Sequence, residues 1–136
     1  MIPVFLDTSG LIALTNTDDH WHARAKLVWH DLLRQKRTLV TSSLILIELA
    51  DGLAKVNFRS VAVRLADALN ASPNIEIIRA SEAVEAAGWK LYRERTDKDW
   101  GMTDCVSFSI MTERAISDAF GLDHHFEQAG FRLLIK

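Results

Sequence analysis

The sequence predicts an α/β protein: a three-layer α/β/α sandwich with a central parallel sheet of short strands. Three observations predict it. Short apolar runs alternate with longer helical stretches in the order β-α-α-β-α-α-β-α-α-β-α-β. The short runs are apolar on both faces, as strands covered by helices on both sides are. Helix-capping residues recur where these runs end.

Pro3 to Leu6 reads as the first strand, with Pro at its start where a missing N–H does least harm. It runs into Asp7-Thr8-Ser9-Gly10, a strand-to-helix turn rich in capping residues, and then a short helical turn over Leu11 to Leu14. Asp18 or Asp19 is expected to cap a helix over about 19–36, on which Trp21, Ala25, Val28 and Leu32 fall at helical spacing. Arg34, Lys36 and Arg37 end it with charges that suit a helix C-terminus. Leu39 and Val40 form a minimal second strand. Thr41, Ser42 or Ser43 then caps an apolar helix over about 43–56, and a further helix covers about 59–70. The breaker Ser72-Pro73-Asn74 precedes a third strand, Ile75 to Ile78. Ser81 opens a helix to about Glu94. After the polar loop Thr96 to Gly101, Thr103 caps a helix to about Arg114. Ala119-Phe120 is a short strand, Asp123 to Gln128 a helix stopped by Gly130, and Arg132 to Ile135 the last strand.

The length of 136 residues suits a single domain over 1–136 and suffices to bury roughly 68% of the unfolded surface. Hydrophobic residues at 49% and charged residues at 25% exclude a disordered chain or a collagen-like repeat. One Cys excludes an internal disulfide, and no apolar run reaches the length of about 18 residues that a membrane span needs. Asp7 arrives too early for a signal peptide, so a cytoplasmic protein without a membrane partner is expected. The net charge of −2 disfavours a protein that coats nucleic acid, but not a metal-dependent nuclease. With four carboxylates neutralised on metal ions the remainder would carry +2.

Four acids stand out. Ligands of open parallel sheets bind at the C-terminal ends of the strands. Asp7 and Asp123 each follow a predicted strand, Asp104 opens a helix, and Glu48 lies inside the most apolar helix, between Leu44-Ile45-Leu46-Ile47 and Leu49-Ala50. Each has a structural reading beside the functional one. Asp7 and Asp123 can cap the helices that follow them, and Asp104 can complement a helix dipole. Glu48 is the hardest to explain structurally, because an acid on a buried face is costly without a cation or donors. Gathered together, the four would repel unless a cation neutralised them. Hard oxygen donors select Mg²⁺ or Mn²⁺ rather than zinc.

Val4-Phe5-Leu6-Asp7-Thr8-Ser9, Ile47-Glu48-Leu49, Thr103-Asp104-Cys105-Val106-Ser107-Phe108 and Ala119-Phe120-Gly121-Leu122-Asp123-His124-His125-Phe126 resemble, in this order, the motifs of the PIN domain. Within that family the similarity is to VapC-type ribonuclease toxins and their stand-alone relatives, and it spans the chain. The resemblance implies a Mg²⁺- or Mn²⁺-dependent endoribonuclease whose catalytic and metal-binding acids are Asp7, Glu48, Asp104 and Asp123. It implies hydrolysis by a metal-activated water, leaving a 5′-phosphate and a 3′-hydroxyl. The family's hydroxyl beside the first acid maps onto Thr8 or Ser9. Gly101 stands where relatives often carry serine, and Asp99 is either an accessory acid or a solvated loop charge. An antitoxin partner and homodimerisation are also implied, with RNA as substrate. The alternative is a catalytically silent module that binds RNA or protein.

Other candidates are weaker. His20-Trp21-His22 and His124-His125 lack a third zinc ligand at a standard spacing, and solvation or substrate contact is expected for the last two. Two histidines could also form a metal-free acid–base pair. Arg34-Lys36-Arg37 and Lys90-Arg93-Arg95-Lys98 either hold phosphates or are solvated helix ends. Trp21, Trp29 and Trp89 read as core or interface, whereas Trp100, in a loop near Asp104, is the better base-stacking candidate. A haloacid-dehalogenase-like phosphatase would need a second Asp where Ser9 stands, and a receiver domain would need adjacent early acids and a late Lys.

Overall fold

Five short parallel strands and seven helices alternate along the described residues, 2–136, of the computed structural model. The strands are β1 Val4–Leu6, β2 Leu39–Ser42, β3 Ile75–Ile78, β4 Asp118–Phe120 and β5 Arg132–Leu133. The helices are α1 Thr8–Thr15, α2 His22–Arg34, α3 Ser43–Gly52, α4 Arg59–Ala71, α5 Glu82–Glu94, α6 Met102–Glu113 and α7 His124–Gln128. The sheet order is β3-β2-β1-β4-β5, with every pair parallel. None of these helices is long and apolar enough to cross a membrane.

Sequence and burial agree on why the sheet is central. Every residue of β1, β2 and β4 is buried, whereas β3 and β5, at the edges, are only partly so. Phe5, Phe108, Phe126 and Phe131 interlock beside β1, with Phe108 meeting Phe126 edge to face at 4.9 Å. Truncating a fully buried ring such as Phe126 costs about 3–5 kcal/mol. Gly10 allows the start of α1 to lie against β4. A Cβ there would stand 2.3 Å from the Phe120 carbonyl oxygen.

The strand order places the functional crevice. From β1 the chain builds outward through β2 and β3, then returns to β4 on the other side of β1 and continues to β5. The order therefore reverses between β1 and β4, where Phe5 pairs with Ala119. Ligands bind outside the carboxyl ends of the strands at such a reversal. Asp7 follows β1 and Asp123 follows β4, so they flank it.

Several boundaries differ from those expected. α1 begins at Thr8, directly after its cap Asp7, rather than at Leu11. Neither Asp18 nor Asp19 caps α2, which starts at His22; Asp19 instead accepts the Trp21 N–H in the preceding turn. α3 ends at Gly52 rather than near 56, where glycine weakens the helix. α6 is capped at Gly101, which leaves Thr103 inside the first turn. β5 has two residues rather than four, Arg132 and Leu133, which pair with Asp118 and Ala119 of β4. Ser42 and Ser81 cap α3 and α5 as expected, accepting from the Ile45 and Val84 N–H groups.

Candidate active site and metal centre

Asp7 leaves β1 at the point where the backbone turns into α1. Its carboxylate accepts the Ser9 N–H at 3.2 Å as a helix cap, and the Ser9 hydroxyl at 2.6 Å. Ser9 in turn accepts the Leu122 N–H at 2.9 Å, which ties the first acid to the segment leaving β4. Gly121 makes room for this approach, since a Cβ there would stand 3.0 Å from the Asp7 Cβ. The structural and functional readings of Asp7 are thus compatible: a cap at a strand end also points into the crevice.

Glu48 reaches the same place from α3. The Thr8 hydroxyl donates to Glu48 Oε1 at 2.5 Å. Glu48 is exposed, which corrects the expectation of a buried acid on an apolar face. The helix buries Ile45 and Leu49 instead, and Glu48 faces the open crevice. Thr8 and Ser9, alternatives in the sequence, divide the work: Thr8 holds Glu48 and Ser9 holds Asp7.

Asp104 lies in the first turn of α6 and accepts the Gly101 N–H at 3.2 Å. Asp123 caps α7 by accepting the His125 N–H at 3.0 Å. His125, which sequence reading left to solvation or substrate contact, stands between these two acids. Its Nδ1 is 3.2 Å from Asp104 Oδ2 and 3.3 Å from Asp123 Oδ1, and its side chain is only 20% exposed. The adjacent His124 is exposed, with Nδ1 3.7 Å from Asp123 Oδ1. The one sequence signal for His125 was its position two residues after a capping acid.

The electrostatics follow from this crowding. Burial, opposed by the two Ser9 hydrogen bonds and assisted by the negative charges of Glu48 and Asp104, pushes the Asp7 carboxyl up to about 6. Asp104 is raised too, by burial first and by Asp123 second, against the Gly101 N–H and His125. Among the described residues no Lys or Arg pairs with Asp7, Glu48, Asp104 or Asp123. Acids that crowd and raise one another, as Asp7 and Asp104 are raised, make a site of the kind a divalent ion completes. The oxygen donors of the four suit Mg²⁺ or Mn²⁺. At the rim, Asp123, His124 and His125 bring donor atoms within 4.8 Å of one another, a set that includes imidazole nitrogen.

The remaining candidates lie elsewhere. Asp99 is exposed and has no hydrogen bond or ion pair to the four acids among the described residues. Trp100 is 5% exposed, packs edge to face on Phe108 at 4.9 Å and donates its Nε1–H to Gln128 Oε1. It is therefore a core residue, which removes the better of the base-stacking candidates. Trp21 and Trp29 pack against the core, whereas Trp89 is exposed. Arg37 is not available to hold a phosphate: it pairs with Asp118 at the start of β4, at the opposite end of the strands from the acids.

With this arrangement in hand, the likenesses to known proteins are informative. The PIN domain family matches residues 4–132. The chain is 27% identical over 128 residues to the 23S rRNA-specific endonuclease VapC20 of Mycobacterium tuberculosis, covering 94% of this chain and 95% of the relative. The crystal structure of that VapC20, described as a Sarcin-Ricin loop cleaving toxin, superposes with a TM-score of 0.82, covering 95% of this chain and 96% of the other. Two more distant structures share the fold. VapBC2 from Rickettsia felis, bound to a DNA fragment from its promoter, is 19% identical with a TM-score of 0.70 and covers 98% of this chain and 97% of its own. FitAcB from Neisseria gonorrhoeae is 17% identical with a TM-score of 0.67 and covers 95% of this chain and 96% of its own. The match over nearly the whole chain, on the fold and motif order already described, shows that this chain belongs to the PIN domain family.

Proposed function

We propose that this protein is a divalent-metal-dependent endoribonuclease, the toxin of a type II toxin–antitoxin pair acting in the cytoplasm. The observation that carries the reading is Asp7: a buried carboxyl raised to about 6, facing other acids, with no Lys or Arg paired to it among the described residues. Likeness along the whole chain to an rRNA endonuclease supports the substrate class. The likeness in fold to VapBC2 fits a small antitoxin as partner, and homodimerisation belongs to the same reading.

Asp7, Glu48, Asp104 and Asp123 would hold Mg²⁺ or Mn²⁺. When bound, such an ion supplies a water of lowered pKa and stabilises the charge that develops at a phosphate. The chain's own part is to keep the ligands aimed. Ser9 fixes Asp7, Thr8 fixes Glu48, and the Gly101 N–H with His125 fixes Asp104. Burial of Asp7 keeps bulk water from that carboxylate and strengthens its hold on a cation.

The test is end-group analysis of RNA cut by the purified protein, with 23S ribosomal RNA as the first substrate. Expected are 5′-phosphate ends, inhibition by EDTA, recovery with Mn²⁺ and loss of activity in Asp7→Asn. His125→Ala should stay within about tenfold of wild type, whereas an imidazole acid–base mechanism loses about 10²–10⁴-fold. Cyclic phosphate ends, or equal cleavage by Asp7→Asn, would overturn the mechanism. A protein that binds RNA but never cuts it would be the silent module instead.

A further inference from the structure

Beside the acids, a cleft of about 510 Å³ opens between the end of α5 and the loop that leads into α6. Its volume falls within the range of about 300–1,000 Å³ usual for small-ligand sites. Gly101 and Cys105 form its wall on the side of the acids. Gly101 donates its N–H to Asp104 Oδ2, and Cys105 follows Asp104 in the helix, so cleft and acids share a wall.

The other walls carry the aromatic rings of Tyr92 and Trp100, the cations Arg95 and Lys98, and the polar Thr96 and exposed carboxylate of Asp99. Tyr92 is 45% exposed and is braced by Trp89, edge to face at 5.7 Å. Arg95 lies 4.7 Å over the Trp100 ring and is clamped by Asp97 through two hydrogen bonds of 3.0 and 3.1 Å. Trp100 lies beneath the guanidinium, and both side chains line the cleft. Lys98 also lines the cleft, and its ammonium is only loosely engaged, 4.0 Å from Asp97. Unpaired bases stack on aromatic rings and on Arg planes, while cations follow the phosphates.

We infer that this cleft is a nucleotide subsite. It takes one unpaired base of the RNA flanking the scissile phosphate, stacked against the Tyr92 ring and the Arg95 guanidinium, with Lys98 on a backbone phosphate. The inference rests on the ribonuclease reading above.

The experiment measures binding of fluorescein-labelled decaadenylate and decauridylate to the full chain carrying Asp7→Asn, in Mn²⁺. Adding Tyr92→Ala should raise the Kd about tenfold or more, and Tyr92→Phe should restore it. Adding Lys98→Ala should lower the slope of log Kd against log salt by about 0.7. In the cleaving protein, Tyr92→Ala should raise KM more than it lowers kcat. Both side chains lie at the surface, and unchanged melting temperatures verify the fold. If wild type cuts RNA but the Ala variants bind within twofold of the Asp7→Asn protein, the subsite is overturned and the ribonuclease reading stands. The same holds if wild type cuts and the Asp7→Asn protein binds neither oligonucleotide. If wild type cuts no RNA with metal present, both readings fall.

Discussion

Ser9 donates its hydroxyl proton to Asp7 Oδ2 at 2.6 Å and accepts the Leu122 N–H at 2.9 Å. One small side chain therefore joins the ends of the two central strands between which the sheet order reverses. Ser9→Ala removes both bonds and leaves the Leu122 N–H without its partner, at a cost of about 1–2 kcal/mol. It also removes the largest influence holding Asp7 down, so that carboxyl climbs above about 6. The acid limb of the pH–rate profile should shift to higher pH, read from initial cleavage rates. An unshifted limb would show that Asp7 does not govern it.

Asp7 also predicts how the metal-free protein responds to pH. Its carboxyl titrates at about 6 in the fold against 3.8 for the unperturbed group. The folded state thus holds this proton more tightly than the unfolded state does. The stability it contributes is whole below 3.8 and is lost as pH rises through about 6. A shift of about two units corresponds to about 3 kcal/mol. Without metal, Asp7→Asn should therefore gain on wild type by up to that amount between pH 4 and pH 7. Millimolar Mn²⁺ should raise the wild-type melting temperature much more than that of the variant. Parallel stability curves for the two proteins would refute the assignment.

Glu48 is exposed, and among the described residues its side chain's one hydrogen-bond partner is Thr8. Glu48→Gln should abolish cleavage while changing stability by no more than about 0.5 kcal/mol, as surface substitutions usually do. Thr8→Val should reduce cleavage by leaving Glu48 unanchored. Denaturant melts run beside the cleavage assay decide the matter. A loss of about 3 kcal/mol or more in Glu48→Gln would mark a structural ion pair instead.

Asp118 is the counter-case, an acid built into the fold at the opposite end of the strands. Burial alone would push its carboxyl up, but the guanidiniums of Arg132 and Arg37 outweigh burial and hold it below the usual value. Stability from this group is present above 3.8 and is lost as pH falls through its lower folded value. Asp118→Asn should destabilise the fold at neutral pH, because the guanidiniums, Arg37 nearly buried, lose their counter-charge. The gap to wild type should narrow as acid protonates Asp118. Cleavage per folded molecule should be unchanged, and a loss there would place Asp118 in the catalytic apparatus.

What could be read from the chain varied with how local the cause was. Ser42 and Ser81 were legible as caps because a cap bonds an N–H three residues away. Glu48 was misjudged as buried because composition names an apolar helix without saying which side faces the sheet; Ile45 and Leu49 take that side. The place of His125 between two acids was not legible, because one of them, Asp104, lies twenty-one residues away. Trp100 read as a base-stacking candidate from its polar loop, and only Phe108 and Gln128 reveal that it is packed.

The sequence by itself determined the alternation of strands and helices and the placing of Asp7 and Asp123 at strand ends. Periodicity, capping and the break at Ser72-Pro73-Asn74 act over a few residues and are written in them. Tertiary structure alone decided that β4 lies beside β1, pairing Phe5 with Ala119 across more than a hundred residues. That pairing brings Ser9 to Leu122 and gathers acids from β1, α3, α6 and the start of α7 around one crevice. The physical reason is that strand order and side-chain direction are set by burying apolar faces from distant segments together, and no local pattern encodes which segments those are.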